Sequence, residues 1–314
     1  MDTTSSRFGS GRSVRRIEDD KLLQGLGQFT DDITGDSTYA EHVHACFLRS
    51  PYPHARIVSV DTAAALAMPG VVAVYQGADL VAAGVKPIPG SSGFPRTGGA
   101  PGATPPRHIL AHERARHVGE AVAVVLASTM EQARDAAEAV VVDYDELPMV
   151  VMLAGAITAG APVVCDDAPD NIAAEMRHGN AAATDQAFAG ATHVVKLDLT
   201  NQRLAALTLE PRSVLALVDP KDGRLLVRMS SQMPSGIRNS LGKDIMGIGV
   251  ENIRETVGDV GGGFGMKGGI HPEDAVIAWC AWTLKRPVKW IADRSEEFLS
   301  SATGRDTESH AELA

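Results

Sequence analysis

The chain has 314 residues, of which 44% are hydrophobic and 22% are charged, and its formal net charge is −10. This composition is ordinary for a water-soluble globular protein, and the length allows two domains with cores of their own. The acidic balance argues against a nucleic-acid-binding protein, because such proteins need clustered lysine and arginine to neutralise phosphates.

The cysteines are too few and too scattered to form a metal or disulfide framework. Cys46, Cys165 and Cys280 lie far apart, whereas zinc and iron–sulfur sites need closely spaced thiolates, and an odd count disfavours a disulfide scaffold. His42 and His44 would share one face of a strand, but without further ligands a structural role is favoured. The N-terminus has no secretory signal, and the longest uncharged run contains prolines and glycines. We therefore predict a cytoplasmic protein without a membrane span.

The first half alternates strand and helix patterns, which predicts a mixed α/β domain at 19–148. Residues 1–18 are predicted to be a flexible N-terminus, and the glycine- and proline-rich stretch 84–108 a long loop. Ser128 and Glu131 have the spacing of a capping box that opens a helix. The predicted strands are 39–47, 56–61, 71–75, 119–126 and 140–145, and the predicted helical segments are 62–68, 77–83 and 129–139.

The second half, 149–314, begins with a stretch rich in alanine, glycine and proline that is predicted to be irregular as far as about residue 190. No closing turn or polar tail follows its last predicted strand. We therefore expect either a fragment of a larger domain or a naturally split subunit. The predicted strands are 193–200, 213–219, 224–230, 253–257, 288–291 and 308–314, and the predicted helices are 235–241 and 272–284.

One segment dominates the functional interpretation, a glycine-rich loop at residues 258–269 (the glycine loop), in which seven of twelve residues are glycine. Glycine lets another molecule approach the backbone, and the loop leads to the N-terminus of the helix predicted at 272–284, where peptide N–H groups favour anions. This predicts binding of a phosphate-bearing cofactor. A nucleotide-binding P-loop is excluded because Lys267 precedes Gly268 and not serine or threonine. Two alternatives stay open: a dinucleotide fingerprint at Gly263–Gly268, and a turn without a ligand.

Seven segments that include the glycine loop resemble the molybdenum hydroxylase family, which contains xanthine dehydrogenase, aldehyde oxidase and the large subunit of aerobic carbon monoxide dehydrogenase. The resemblance is strongest to the carbon monoxide dehydrogenase branch and runs in order from about Gly11 to the last residue. It implies an α/β hammerhead domain at 19–148, followed by the first part of a molybdopterin-binding α+β domain at 149–314. The segments are 13–19, 25–32, 49–57, 231–234, 257–267, 286–290 and 293–298.

The resemblance also implies a reaction and a set of partners. Family members use a molybdenum atom on molybdopterin, here expected in its cytosine dinucleotide form, to hydroxylate an aldehyde, an N-heterocycle or carbon monoxide with oxygen derived from water. Electrons then pass to iron–sulfur clusters and FAD. Because the chain lacks iron–sulfur and flavin motifs, we expect an iron–sulfur small subunit and a FAD-carrying medium subunit in a heteromeric complex. A second chain carrying the rest of the large subunit is a further possible partner.

The resemblance assigns five cofactor-binding residues and no direct metal ligand. Gln232 matches the glutamine whose amide hydrogen-bonds the apical oxo ligand. Gly262, Gly263, Phe264 and Gly265 match the loop beside the molybdenum, with Phe264 near the metal. Judged on residue type alone, Gln232 could instead be a surface amide that caps the next helix, and Phe264 a core aromatic.

Other positions limit what the chain can do. Purine-specific members carry glutamate where this chain has Gly268, which disfavours xanthine as substrate. The glutamate that serves the family as general base would lie beyond Ala314. We therefore predict no catalytic residue in this chain and no turnover by the chain alone. Glu210 matches a Glu-Pro motif and is predicted to be structural, either pairing with an arginine or capping a loop.

Two functions from other classes remain as alternatives to a molybdenum hydroxylase subunit. One is a non-catalytic binding or assembly module that keeps the fold without the cofactor. The other is a dinucleotide-dependent dehydrogenase that uses Gly263–Gly268.

Overall fold

A computed structural model describes residues 15–33, 41–90 and 92–314. The predicted flexible N-terminus lies mostly outside these residues, and so does the start of the strand predicted at 39–47. Among the described residues no helix is long and apolar enough to cross a membrane.

The elements of the first half follow the predicted alternation of strands and helices, with an unpredicted helix at Asp19–Leu23 and an unpredicted short strand at Arg114–Ala115. Thr97–Gly99 forms a 3₁₀ turn in the predicted long loop. The helices and strands are α1 (Asp19–Leu23), β1 (Val43–Arg49), β2 (Ala55–Asp61), α2 (Ala63–Leu66), β3 (Val71–Gln76), α3 (Gly77–Ala82), β4 (Arg114–Ala115), β5 (Ala121–Ala127), α4 (Met130–Glu138) and β6 (Val141–Glu146).

The second half contains more helix than predicted, because α5, α6 and α9 were not expected. A π-helical turn at Ser240–Ile245 and a 3₁₀ turn at Val250–Asn252 follow α7. The helices and strands are α5 (Leu153–Ala156), α6 (Ala181–Gly190), β7 (Val195–Asn201), β8 (Leu204–Ala205), β9 (Ser213–Val218), β10 (Leu225–Met229), α7 (Pro234–Asn239), β11 (Ile253–Thr256), α8 (Pro272–Leu284), β12 (Val288–Ile291), α9 (Arg294–Ser300), β13 (Thr303–Gly304) and β14 (Thr307–Leu313).

A seven-stranded mixed sheet joins the two halves, in the order β11-β10-β9-β12-β1-β5-β3. The junction is the parallel pair β1 and β12, in which Val43 lies opposite Val288. A smaller sheet, β4-β2-β6, belongs to the first half alone. The division proposed at residue 148 stays a prediction, but the main sheet is continuous across it.

Helix α8 is the central helix of the core and packs on β9, β10 and β12. Its sequence dictates where it begins: Pro272 occupies the first helical position, where a missing N–H costs nothing, and Asp274 Oδ2 accepts from His271 N at 2.9 Å. The helix ends at Lys285, which is left-handed (φ 53°). Because it is apolar nearly all round, α8 is buried on most sides, as expected for a core helix.

Helix α4 packs on β1 and β5 through an alanine face, which contains Ala133, Ala136 and Ala137. Its N-cap is Thr129, whose side chain accepts from Gln132 N, so the predicted capping box with Ser128 is wrong by one residue. Ser128 Oγ donates instead to the Gly70 carbonyl. The helix therefore forms as predicted from its pattern, with a different cap.

A second region has almost no core of its own. Of residues 149–209, only Ala168 and Thr208 are buried. Strands β7 and β14 form a two-stranded antiparallel sheet (the β7–β14 ribbon), and every residue of both strands is exposed. Such a ribbon has little to stabilise it except its own hydrogen bonds and cross-strand pairs.

Candidate cofactor site

Strand pairing places the glycine loop beside Gln232. Strands β10 and β11 are adjacent and parallel, with Leu225 opposite Ile253. The carboxyl ends of parallel neighbours meet at the same edge of a sheet, so the connections that follow them lie side by side. Gln232 is in the connection after β10, and the glycine loop is the connection after β11.

The Gln232 side chain lies directly against the glycine loop. Gly265 N donates to Gln232 Oε1 at 3.0 Å, and Gln232 N donates to the Lys267 carbonyl at 2.9 Å. A Cβ on Gly263 would lie 2.4 Å from Gln232 Cδ, so only glycine leaves room for the amide. The structure thus brings Gln232, Gly263 and Gly265 together from two separate connections. The N-cap of α7 is Met233, and the Gln232 side chain bonds to the glycine loop at Gly265.

Phe264 lies at the exposed tip of the loop and is not a core aromatic. Its side chain is 76% exposed and its backbone is left-handed (φ 50°), a conformation that is uncommon for a residue other than glycine. Gly262, two residues before Phe264, and Gly265, directly after it, also have positive φ, at 106° and 88°. A Cβ on Gly262 would lie 3.1 Å from the Phe264 ring. The glycines therefore allow a tight turn that presents an aromatic ring to solvent.

The buried side chain of Lys267 fixes the end of the glycine loop to neighbouring residues. The ammonium of Lys267 donates to the Glu210 carbonyl at 2.8 Å, to Glu210 Oε2 at 3.2 Å and to Ser230 Oγ at 2.7 Å. Burial lowers the pKa of Lys267, and the neighbouring Glu210 carboxylate opposes that shift. Glu210 is therefore structural as predicted, but its partner is a lysine and not an arginine. It also caps the loop, since Gly261 N donates to its Oε2 at 2.8 Å.

The start of the loop is held by the first half of the chain. Asp259 Oδ2 accepts from Gln28 N at 2.7 Å and lies 2.7 Å from the Lys21 ammonium, while Asp259 N donates to the Gln28 carbonyl at 3.2 Å. The segment after α1 thus anchors a loop that lies more than two hundred residues later in the sequence. No local sequence pattern indicates this contact.

The N-terminus of α8 is not open to an anion, contrary to the prediction. His271, Glu273 and Asp274 are all buried there, and the His271–Asp274 capping box satisfies backbone donors of the first turn. His271 Nε2 lies 2.9 Å from the Met266 carbonyl and so ties the end of the loop to the helix. Burial and the nearby guanidinium of Arg212 lower the pKa of His271 to about 4, so its imidazole is neutral.

Beneath the helix lies a cluster of buried charges that was not predicted. Arg212 contacts Glu273 at 2.8 Å and Glu297 at 3.3 Å, and Arg49 contacts the other oxygen of Glu273 at 2.8 Å. Burial would raise the pKa of Glu273, but the two guanidinium groups hold it at about 2. Burial raises the pKa of the adjacent Asp274 to about 7. These pairs connect β1, the residue before β9, α8 and α9.

The predicted dinucleotide fingerprint lacks its structural context. Gly263–Gly268 lies well after the end of β11 and before the start of α8, so it does not form the tight turn between strand and helix. Strand β12, which follows α8, is separated from β11 by β10 and β9. Across the described parts of the chain, no group of three or more histidine, cysteine or acidic residues could hold a metal ion.

Two family models match the chain. The model of the aldehyde oxidase and xanthine dehydrogenase a/b hammerhead domain matches residues 24–148, and the model of the molybdopterin cofactor-binding domain matches residues 164–314. The predicted fold, a hammerhead domain followed by a molybdopterin-binding domain, is confirmed.

Known relatives are similar over nearly the whole chain. The nicotine 6-hydroxylase large subunit of Paenarthrobacter nicotinovorans is 35% identical over 93% of this chain and 34% of its own length. The carbon monoxide dehydrogenase large chain of Hydrogenophaga pseudoflava is 34% identical over 95% of this chain and 36% of its own length. The chain therefore spans about a third of the length of the relatives it matches.

Solved structures agree with the sequence relatives. Quinoline 2-oxidoreductase from Pseudomonas putida 86 superposes with a TM-score of 0.86 at 34% identity, covering 96% of this chain and 37% of that structure's chain. A Cu,Mo-CO dehydrogenase superposes with a TM-score of 0.83 at 31% identity, covering 96% of this chain and 37% of that structure's chain. With two family models, sequence relatives and structures in agreement, the chain belongs to the aldehyde oxidase and xanthine dehydrogenase family of molybdenum hydroxylases.

Proposed function

We propose that the chain is the part of a molybdenum hydroxylase large subunit that holds one side of the molybdopterin group, through Gln232 and the glycine-loop residues Gly262–Gly265. The observation that carries the proposal is the contact between Gln232 and this loop, made from two connections that meet only in the folded sheet. A Cβ on Gly265 would meet no atom within 4 Å, so the backbone there is open to a ligand. The residues present thus fit a cofactor that approaches the loop closely.

The orientation of the Gln232 amide supports its predicted role. A backbone N–H can only donate, so the side-chain atom that faces Gly265 N must be the oxygen. The NH₂ group then lies on the other branch of the amide, where it would be a neutral donor to an oxygen atom of a bound cofactor. Such a donor orients a ligand without competing for the metal itself. We propose that Phe264, which is 76% exposed in the chain by itself, covers the adjoining side of the cofactor and excludes water there.

The bound molybdenum cofactor would supply the two-electron oxidation and the transfer of water-derived oxygen, while the protein supplies orientation and electrostatics. We propose an aldehyde, an N-heterocycle or carbon monoxide as substrate. Relatives named for nicotine, quinoline and carbon monoxide support this range. The small residue Gly268, in place of a carboxylate, argues against a purine. This chain binds and positions the group, and the general base is expected elsewhere in the large subunit.

We further propose the cytosine dinucleotide form of the cofactor, an iron–sulfur small subunit and a FAD medium subunit as partners, and a cytoplasmic location. The carbon monoxide dehydrogenase and nicotine 6-hydroxylase relatives are named as one chain or subunit among several, which supports a heteromeric complex. All three cysteines are free, which is consistent with a reducing compartment.

Molybdenum and pterin content test the proposal directly. The chain is purified alone and after co-expression with a polypeptide that supplies the remaining two thirds of the large subunit and with both electron-transfer subunits. We expect molybdenum and an oxidised, fluorescent pterin in the complex, and no turnover by the chain alone. Absence of both from every preparation would favour a non-catalytic assembly module. Binding of a nicotinamide nucleotide by the isolated chain in calorimetry would instead support the dehydrogenase alternative.

A further inference from the structure

Two buried or partly buried side chains, Glu210 and Lys267, form hydrogen bonds that hold the glycine loop. We propose that Glu210 and Lys267 are positioning residues, which together set the conformation of the glycine loop and the direction of the Gln232 amide. A loop in which seven of twelve residues are glycine has many accessible conformations, so holding one of them requires specific anchors. Glu210 and Lys267 supply those anchors at two points of the loop.

Lys267 has the geometry of a fully satisfied buried cation. Its side chain is 1% exposed, and its three N–H donors meet three acceptors on Glu210 and Ser230. A buried ammonium without such partners would carry a large desolvation cost. Because Lys267 belongs to the loop, fixing its ammonium fixes the backbone from which it projects.

Glu210 holds the loop at a second point. Gly261 N donates to Glu210 Oε2 at 2.8 Å, and Glu210 N donates back to the Gly261 carbonyl at 3.2 Å. The same oxygen, Oε2, accepts from Ser230 Oγ at 2.6 Å. A Cβ on Gly261 would lie 2.4 Å from Glu210 Cβ, so the glycine is needed for this close approach. Glu210 therefore contacts the loop at Gly261 through two hydrogen bonds and a close approach that a larger residue would prevent.

The anchors reach Gln232 by direct contacts. Lys267, held by Glu210 and Ser230, accepts at its carbonyl from Gln232 N at 2.9 Å. The Gln232 side chain then accepts from Gly265 N at 3.0 Å. Hydrogen bonds thus link Glu210 to Lys267, Lys267 to Gln232, and Gln232 to Gly265. The loop backbone then leads back to Gly261, which is itself bonded to Glu210. Loosening Glu210 or Lys267 should free both the loop amides and the orientation of the Gln232 amide.

The inference depends on the proposed function only for what the loop holds, so its test uses the full chain without cofactor. Amide hydrogen exchange is measured at Gly261 and Gly265. In Glu210→Ala we expect both amides to exchange at least about tenfold faster, since Gly261 N loses its acceptor and the Gln232 oxygen that accepts from Gly265 N is held less firmly. Glu210→Gln keeps an oxygen where Gly261 N needs one, and we expect it to restore slow exchange at Gly261.

A matched serine pair provides a milder version of the test. Ser230→Ala removes one partner of both Lys267 and Glu210, and we expect faster exchange at both loop glycines. Ser213→Ala removes a buried hydroxyl for which the described structure shows no partner, and we expect no change.

Unchanged exchange at Gly261 and Gly265 in Glu210→Ala, with a lower melting temperature, would leave only a general structural role and overturn the inference. If Glu210→Ala does not fold, wild-type exchange rates in Ser230→Ala overturn it in the same way. Neither result bears on molybdenum content, which tests the proposed function separately.

Discussion

The strands that carry the site and the segment at 149–209 belong to the same half of the chain but are stabilised very differently. Strands β9 and β10 are almost entirely buried, and the charged groups beside them are paired. In the β7–β14 ribbon, alternation places Val195, Leu197 and Leu199 on one exposed face, while the Lys196–Glu312 pair lies on the other. Regular backbone structure alone thus says little about where stability lies.

The largest expected difference between these regions comes from their arginines. Arg212→Leu leaves Glu273 and Glu297 buried without their main partner, and we expect it to lower the free energy of unfolding by about 3–5 kcal/mol. Arg203→Leu removes an arginine that pairs with Asp306 at the surface, and we expect little change. The free energy of unfolding of both variants is measured by denaturant titration. Equal losses would contradict the contrast between the regions.

Two leucines on strands give the next comparison. Leu217 is 2% exposed in β9, and Leu217→Ala is expected to cost about 2–5 kcal/mol of stability through a core cavity. Leu197 is 53% exposed in β7, and Leu197→Ala should change stability by no more than about 0.5 kcal/mol. The same unfolding experiment tests both. A large loss in Leu197→Ala would mean that the ribbon is covered in solution.

The glycine loop offers a sharper contrast between two nearby positions. In Gly263→Ala the new Cβ would collide with the Gln232 amide, so we expect a loss of about 1–3 kcal/mol in stability and a lower pterin content in the assembled complex. At Gly269 a Cβ would meet nothing within 4 Å, so Gly269→Ala should retain the wild-type stability and the wild-type pterin content. Normal pterin content in Gly263→Ala would argue against the proposed role of the Gln232 amide.

The smallest effect concerns pH and Glu255 of β11, the edge strand of the main sheet. Burial and the nearby Asp274 raise the pKa of Glu255 to about 8. Because the pKa of Glu255 is higher in the folded chain than in the unfolded chain, its contribution to stability is fully present below the unfolded pKa near 4.5. That contribution is lost as pH rises through the folded pKa of about 8. Glu255→Gln should therefore resist denaturant better than the wild type at pH 8 and similarly at pH 4. The exposed Glu251→Gln is the control, and the same pH dependence in both variants would contradict the assignment.

Part of this structure could be predicted from the sequence. The run that became β5 and the helix α8, predicted at 272–284, were found from apolar pattern and capping signals. The pairing of Gln232 with the glycine loop came from the family resemblance, and the structure supplies its physical cause in the parallel pairing of β10 and β11.

Other features were missed because their signals are weak or distant. Helix α6 is rich in alanine and has no buried face, so periodicity does not reveal it. Its one local signal is Asn180, whose side chain accepts from Ala183 N as an N-cap. The burial of Lys267 and of Arg212 depends on partners from other elements. No pattern of neighbouring residues reports such contacts.

The parallel pairing of β1 with β12 has a consequence for how the chain folds. Val43 and Val288 are more than two hundred residues apart, so this edge of β1 has no partner until more than two hundred further residues have left the ribosome. Contacts of such high order slow folding, and an unpaired strand edge is open to aggregation in the meantime. We therefore expect that neither region matched by a family model completes the main sheet without the other, because β1 lies in the first region and β12 in the second.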